Sequence, residues 1–172
     1  ALPLMTTSNN DITSYLSTNI ISITDGQLVF DTEELQRGIM PPVHTGLSVS
    51  RVGGRAQTGL QKDLAQDIFR ALAAYRQSSQ FSHFGQDLPE QYRVALRLGD
   101  RIRLAFNQTP TEFFTLQEQQ VILQAIFMAD EQGIDISRVK AAAKKLNPSR
   151  YQTTSYEDIA KKILAELPGG KV

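Results

Sequence analysis

Residues 115–129 read TLQEQQVILQAIFMA, and this stretch indicates most clearly what kind of fold the chain has. Thr115 and Glu118 have the spacing of a capping box, in which each side chain accepts a hydrogen bond from the other residue's backbone N–H. Residues 121–129 would be apolar on nearly every side of the helix that follows. Because a helix without a polar face must be buried, we predict that it is the central helix of a bundle.

Segments on both sides of this stretch carry apolar residues at helical spacing. Before it, one segment has an apolar residue at every fourth position, and another is expected to begin at DLPE, residues 87–90. After it, Gly133 is expected to end the central helix. Asp135 or Ser137 is then expected to cap the next helix, and Ser155 the last one. Five helices with short connections predict an all-α bundle.

The first 55 residues have a different character, which is typical of α/β structure. Three short runs of mostly apolar and β-branched residues favour strands; they are residues 20–23, 28–30 and 47–50. Residues 31–37 fit one or two helical turns before Gly38. So few strands with almost no helix cannot cover a parallel sheet, so we expect the end of a sheet whose other strands lie outside this chain.

The composition excludes several classes of site and of partner. The chain has 172 residues, with 18 Lys and Arg against 18 Asp and Glu, and a zero net charge argues against a bulk nucleic-acid binder. The absence of cysteine excludes disulfides, and two histidines are too few for a histidine-rich metal centre. No apolar run approaches the ~20 residues that span a bilayer, and the first ten residues do not have the pattern of a signal peptide. A cytoplasmic-side location is therefore expected.

Arg51 is the residue whose surroundings most suggest chemistry. It lies in GLSVSRVGG, residues 46–54, between a predicted strand and a glycine pair. Its guanidinium is always ionised and offers a rigid fork of donors, which suits the charge that develops on a transferring phosphoryl group. A buried structural salt bridge is the alternative. The sequence contains no G-x-x-x-x-G-K-[ST] loop, so no phosphate cradle of that kind accompanies it.

Other polar residues have simpler interpretations. A stripe of arginines at i, i+4 spacing favours a solvated helix face, with a phosphate or nucleic-acid surface as the alternative; it consists of Arg93, Arg97 and Arg101. His44 and His83 are expected in a loop and a turn rather than as catalytic bases. Three glutamines at the start of the central helix are expected at the surface; they are Gln117, Gln119 and Gln120.

Several motifs together resemble the alpha subunit of F-type rotary ATP synthases. The first three are NIISITDGQ at residues 19–27, GIMPPV at 38–43 and GLSVSRVGGRAQT at 46–58. The resemblance continues through AAYR at 73–76, FSHFGQDL at 81–88 and EQQVIL at 118–123. It covers most of residues 1–130, whereas the last forty residues match only in helical character.

The resemblance implies a place in a longer subunit. Residues 1–57 would be an α/β fragment, the end of the parallel sheet of a P-loop nucleotide-binding domain. Residues 58–172 would be the C-terminal helical bundle domain, so that the chain is mainly helical. The parent subunit would be noncatalytic and regulatory, and its assembly would couple ATP synthesis or hydrolysis to proton or sodium transport across a membrane.

The resemblance also implies partners and a location. Beta subunits would alternate with alpha subunits in a ring around the gamma subunit of the central stalk. The complex would lie peripherally on the cytoplasmic side of an energy-transducing membrane. Neither nucleic acid nor direct membrane insertion is expected. A stand-alone helical protein-interaction module without an ATPase role is the alternative.

Individual residues receive roles from the same resemblance. Arg51 matches an arginine finger that reaches the catalytic site of the neighbouring beta subunit. Ser22 matches a serine near the same phosphate, with a hydroxyl satisfied inside a strand as the alternative. Pro41 and Gln108 match residues that line a noncatalytic adenine pocket. Met40, however, stands where the family usually has an arginine.

The resemblance implies nucleotides as cofactors of the parent, and no metal ligands in this chain. The parent subunit would bind ATP or ADP with Mg. This chain by itself is expected to bind neither tightly and to be inactive, because it has a finger without a phosphate cradle.

Overall fold

The structure, a computed structural model, describes residues 2–7, 11–81, 88–129, 134–146 and 155–167. The chain divides into two compact units, residues 1–58 and residues 59–172. Helices predominate in the described residues, and a small sheet precedes the helical unit, which confirms the predicted mainly helical fold; the described strands are antiparallel rather than parallel. No helix among these residues is both long enough and apolar enough to cross a membrane.

The first unit contains three helices and two short strands among its described residues. In chain order they are α1 (Tyr15–Ile23), β1 (Gly26–Gln27), α2 (Thr32–Gln36), β2 (Val49–Ser50) and α3 (Gly53–Ala56). The strands pair antiparallel, with Gly26 opposite Ser50. Helix α2 matches the helical turns predicted after residue 31, and Gly38 follows it with a φ of 75°, a conformation that side chains disfavour.

The prediction of a strand at residues 20–23 is wrong, because these residues form the end of α1. Ser14 caps the helix by accepting from the backbone N–H of Ser17. A helix satisfies its backbone groups within its own segment, whereas a strand needs neighbours. No described strand lies beside this segment, so the local solution prevails over the β-branched composition. The strand predicted at 28–30 is also displaced: β1 lies just before it, and Phe30 makes an isolated bridge to Val43.

The second unit is the predicted five-helix bundle, as far as it is described. Its helices are α4 (Gly59–Ser79), α5 (Glu90–Phe106), α6 (Leu116–Met128), α7 (Ile136–Lys144) and α8 (Tyr156–Glu166). Helix α6 packs against all four of the others and contains fully buried Val121 and Ala125, so it is the central helix that its sequence predicted.

Three helix starts in this unit have the predicted caps. Both hydrogen bonds of the capping box between Thr115 and Glu118 are present. Asp135, rather than Ser137, caps α7, and Ser155 caps α8. Asp87 and Gly133, predicted as a cap and a stop, lie outside the described residues.

Candidate functional site

The pairing of β1 with β2 positions Arg51. The residue directly follows β2, and its backbone N–H donates to the carbonyl of Asp25 at 2.8 Å, which extends the ladder by one bond. The Arg51 side chain is exposed, and no ion pair among the described residues includes it. A buried structural salt bridge therefore does not account for this arginine.

The guanidinium of Arg51 lies at the carboxyl end of α1. Its Nη2 donates to the carbonyl of Ile21 at 3.2 Å, and its Nη1 donates to the carbonyl of Ser22 at 3.4 Å. The last carbonyls of a helix lack partners within the helix and carry partial negative charge, so a cation is stabilised there. Both hydrogen bonds are long and exposed. They orient the Arg51 side chain but leave it accessible to an anion, which would be a stronger acceptor than a carbonyl.

The structure brings Ser22 next to Arg51, but through its backbone. The Ser22 hydroxyl donates to the carbonyl of Asn19 at 2.7 Å, one turn back in α1. The alternative, a hydroxyl satisfied inside a strand, is wrong about the secondary structure, because Ser22 and its partner Asn19 both lie in helix α1. The oxygen of that hydroxyl keeps its capacity to accept a further hydrogen bond.

Pro41 and Gln108 lie in different units, and each is described by itself. Pro41 is exposed in the turn after α2, and its carbonyl accepts from the backbone N–H of Val43 at 2.8 Å. Gln108 is half-buried and follows the end of α5. Met40 has 40% of its surface exposed and offers no charge to a phosphate.

Family models match both parts of the chain. The C-terminal domain of the ATP synthase alpha/beta chain matches residues 57–167, and the nucleotide-binding domain of the ATP synthase alpha/beta family matches residues 1–50. The chain belongs to the ATP synthase alpha/beta family.

Relatives of this alpha/beta family chain include alpha subunits. The ATP synthase subunit alpha of Neorickettsia sennetsu is 38% identical over 170 residues, which are 97% of this chain and 33% of that protein. The same subunit of Clostridium botulinum (strain Hall) is 37% identical over 164 residues, 95% of this chain and 32% of that protein. The chain therefore spans about a third of the length of these curated relatives. The resemblance to alpha subunits is confirmed.

One solved structure shares the fold. It is that of a unique ATP synthase subunit, NeqB, from Nanoarcheaum equitans, with a TM-score of 0.70. It is 20% identical and covers 77% of this chain and 34% of that one, so this likeness shows the fold alone.

The arginine stripe on α5 is engaged within the helix. Glu90 makes ion pairs with both Arg93 and Arg97, and the contact with Arg97 measures 3.0 Å. The hydrogen bond from Arg97 is the main reason that the pKa of the exposed Glu90 carboxyl lies below its usual value. Pairing of this kind is typical of a solvated helix face and leaves less charge for a polyanion.

The remaining polar candidates are structural or lie outside the described residues. The Nδ1 of His44 accepts from the backbone N–H groups of Gly46 and Leu47, at 3.2 and 3.0 Å, so this ring orders its own loop. His83 is outside the described residues. The prediction that Gln120 is at the surface is wrong: it has only 6% of its surface exposed, because the all-round apolar helix is buried already at its second turn. In the described ranges, no three His, Cys, Asp or Glu side chains converge as metal ligands would.

Lys140 on α7 is a polar residue that the sequence reasoning missed. It has 8% of its surface exposed, and it contacts the connection between α5 and α6, which contains Gln108. The position of Lys140 in the sequence nevertheless indicates that it is buried. The buried residues of α7 are spaced i, i+3, i+4 and i+7; they are Ile136, Val139, Lys140 and Ala143. Lys140 therefore occupies the inward face of an amphipathic helix.

Proposed function

We propose that this chain is part of the noncatalytic alpha subunit of a rotary ATP synthase or ATPase. The observation that supports it best is the match to alpha subunits along 97% of the chain, together with the exposed Arg51 in the GLSVSRVGG segment. The assembly would couple ATP synthesis or hydrolysis to ion movement across a membrane, with beta subunits beside this chain and the gamma subunit inside the ring. It would lie at the cytoplasmic side of that membrane.

In this proposal Arg51 is an arginine finger for the neighbouring catalytic site. During hydrolysis, water attacks the γ-phosphorus, the bond to the bridging β–γ oxygen breaks, and negative charge spreads over the transferring group. A guanidinium meets this charge without a proton transfer and in a fixed fork geometry. Arg51 would leave two weak carbonyl contacts on α1 for the stronger phosphate, while its backbone stays fixed to Asp25.

Ser22 would assist by orienting the finger. Its carbonyl accepts from the Arg51 guanidinium, and its hydroxyl donates to the carbonyl of Asn19, so that the hydroxyl oxygen can still accept a hydrogen bond. The proposed role in orienting Arg51 therefore rests on the backbone of Ser22 more than on its side chain.

Catalysis would depend on residues of the neighbouring subunit. The 172 residues include no G-x-x-x-x-G-K-[ST] loop to cradle phosphates, and the described residues gather no carboxylate cluster for Mg²⁺. The chain alone would therefore be inactive in ATP hydrolysis.

Nucleotide binding by the parent alpha subunit would be weakened at its own pocket. Pro41 and Gln108 would contact the adenine of ATP or ADP, which binds with Mg. Met40 cannot make the charged phosphate contact of an arginine, and losing a hydrogen bond to a charged group costs about 1.5–3 kcal/mol. Roughly a ten- to hundredfold weaker affinity follows, relative to relatives that carry arginine there.

Assembly tests this function. The subunit containing this chain would be mixed with its beta and gamma subunits and separated by size, and ATP hydrolysis would be measured in each fraction. We expect a ring-sized complex that hydrolyses ATP, and no hydrolysis by the alpha component alone. Failure to associate with beta would contradict the proposal and favour the stand-alone helical interaction module.

A further inference from the structure

The connection between α5 and α6 contains Gln108 and is fixed at both of its ends. At its start, the backbone N–H of Asn107 donates to the carbonyl of Arg103 at 3.0 Å. At its end, the Thr115 capping box is closed, and the side chain of Gln119 donates to the carbonyl of Phe114 at 3.0 Å. Between these points, the backbone of Glu112 donates to Thr109 at 3.0 Å. We refer to residues 107–114 as the α5–α6 loop.

A single ammonium group on α7 contacts three points of this loop. The Nζ of Lys140 donates to the carbonyl of Asn107 and forms an ion pair with Glu112 at 3.5 Å. It also lies over the ring of Phe114, 5.4 Å from the ring centre. Lys144, one turn later and exposed, lies over the same ring at 4.6 Å. The contacts of Lys140 thus join the first residue of the loop to its last ones.

Because the Lys140 ammonium group is largely buried, it depends on these three contacts. The side chain of Lys140 has 10% of its surface exposed and that of Glu112 has 23%. A buried ammonium must be paired and hydrogen-bonded, because leaving it without partners is costly. The alternative positions of the loop would leave the charge of Lys140 uncompensated, so the cation selects one loop conformation.

We propose that Lys140 is a positioning residue that holds the α5–α6 loop, and with it Gln108, in the arrangement that meets the adenine of a bound nucleotide. The inference rests on the proposed adenine contact of Gln108 and adds the residue that acts through it. Lys140 itself contacts no nucleotide in this account.

The test compares Lys140→Met with Lys140→Arg in the assembled enzyme. Methionine keeps an unbranched side chain without the charge, whereas arginine keeps a charged donor. Lys161→Met is the matched control, because Lys161 pairs with Glu157 at the surface at 3.0 Å, where such a pair contributes little. Glu112→Gln removes the anion from the loop side and serves if Lys140→Met does not fold.

Hydrogen exchange at the amides of Asn107 and Glu112 reports on the loop itself. Loss of a hydrogen bond to a charged group predicts exchange about tenfold faster or more in Lys140→Met. We expect Lys140→Arg to restore the slow exchange and Lys161→Met to leave it unchanged. Unchanged exchange in both Lys140→Met and Glu112→Gln would overturn the inference.

Equilibrium binding of a fluorescent ATP analogue with Mg²⁺ to the noncatalytic site separates the two claims. We expect Lys140→Met and Gln108→Ala to weaken binding by similar factors, roughly tenfold. The positioning role is overturned if Gln108→Ala weakens nucleotide binding, whereas Lys140→Met loosens the loop and leaves nucleotide binding unchanged. If neither variant changes binding, the adenine contact of Gln108 is overturned, and the positioning role with it.

Discussion

At the scale of single residues, Gly99 has no room for a side chain. A Cβ at this position of α5 would lie 2.3–2.5 Å from the ring and the Cβ of Tyr75 on α4. Atoms so close to the Tyr75 backbone cannot move aside without shifting a helix. The absence of a side chain at Gly99 therefore sets the close approach of α4 and α5.

Gly99→Ala is expected to destabilise the protein by about 1–3 kcal/mol, the usual cost of overpacking. Denaturant unfolding monitored by helical circular dichroism measures the change. Gly59→Ala is the control, because a Cβ there meets nothing within 4 Å and alanine favours a helix. Equal stability of Gly99→Ala and Gly59→Ala would contradict the close packing.

Tyr75 also predicts a dependence of stability on pH. Burial, and then its hydrogen bond with Asp100, raise the pKa of the Tyr75 hydroxyl above the ordinary 10.0, against the opposing effect of Arg103. The folded state thus favours the neutral phenol, whereas the unfolded state ionises first. The contribution of this group to stability is complete below pH 10 and is lost as the pH rises through the higher folded pKa.

We therefore expect the free energy of unfolding to fall above pH 10, and to fall less steeply in Tyr75→Phe, which keeps the ring beside Gly99. Denaturant titrations at several alkaline pH values give the two slopes. Identical slopes would show that this hydroxyl has the same pKa in the folded and unfolded states.

At the scale of elements, the start of α6 shows how much a helix cap contributes to stability. Thr115 and Glu118 close the capping box in front of the central helix, with the side chain of Glu118 accepting from Thr115 at 2.6 Å. Thr115→Ala is expected to cost about 1 kcal/mol, because it leaves a backbone N–H at the helix start without its side-chain acceptor. Thr115→Ser keeps the hydroxyl and should cost much less. Thermal unfolding of both variants measures the difference, and an equal loss in both would exclude the cap as the cause.

Some features of the helices and strands could be predicted from the sequence, and others could not. The helix caps at Thr115, Asp135 and Ser155 depend on residues two or three positions apart, so short sequence patterns indicate them. Residues 20–23 do not form the predicted strand, because β-branched composition favours a strand only where other strands are available to pair. Lys140 was missed because the periodicity counts apolar residues, whereas its burial depends on partners about thirty residues away in the chain.

The candidate site was predictable only in part. Arg51 stood out because of its motif, and the alpha-subunit resemblance gave roles to Ser22, Pro41 and Gln108. No sequence pattern indicated that the Arg51 guanidinium rests on the last carbonyls of α1, since that contact joins residues 30 positions apart. The roles themselves stay predictions, whereas the family membership is confirmed.

At the scale of the whole molecule, the two units differ in how many apolar residues each of them buries. The core cluster of buried apolar residues lies in residues 59–172. In the first unit, Ser17 is the only buried residue among those described, and large apolar side chains are exposed. Burial of apolar surface is the main stabilising contribution. Variants of the helical unit should therefore change the unfolding transition, whereas Arg51 variants should hardly affect it.

The turnover of the assembled enzyme carrying Arg51→Ala tests the central claim most directly. We predict that steady-state ATP hydrolysis falls by about 10³–10⁵-fold, the contribution of arginine fingers supplied in trans, while the ring still assembles. Arg55→Ala, an exposed arginine four residues later in α3, is the matched control and should keep normal turnover. Normal turnover with Arg51→Ala in an intact ring would contradict the account.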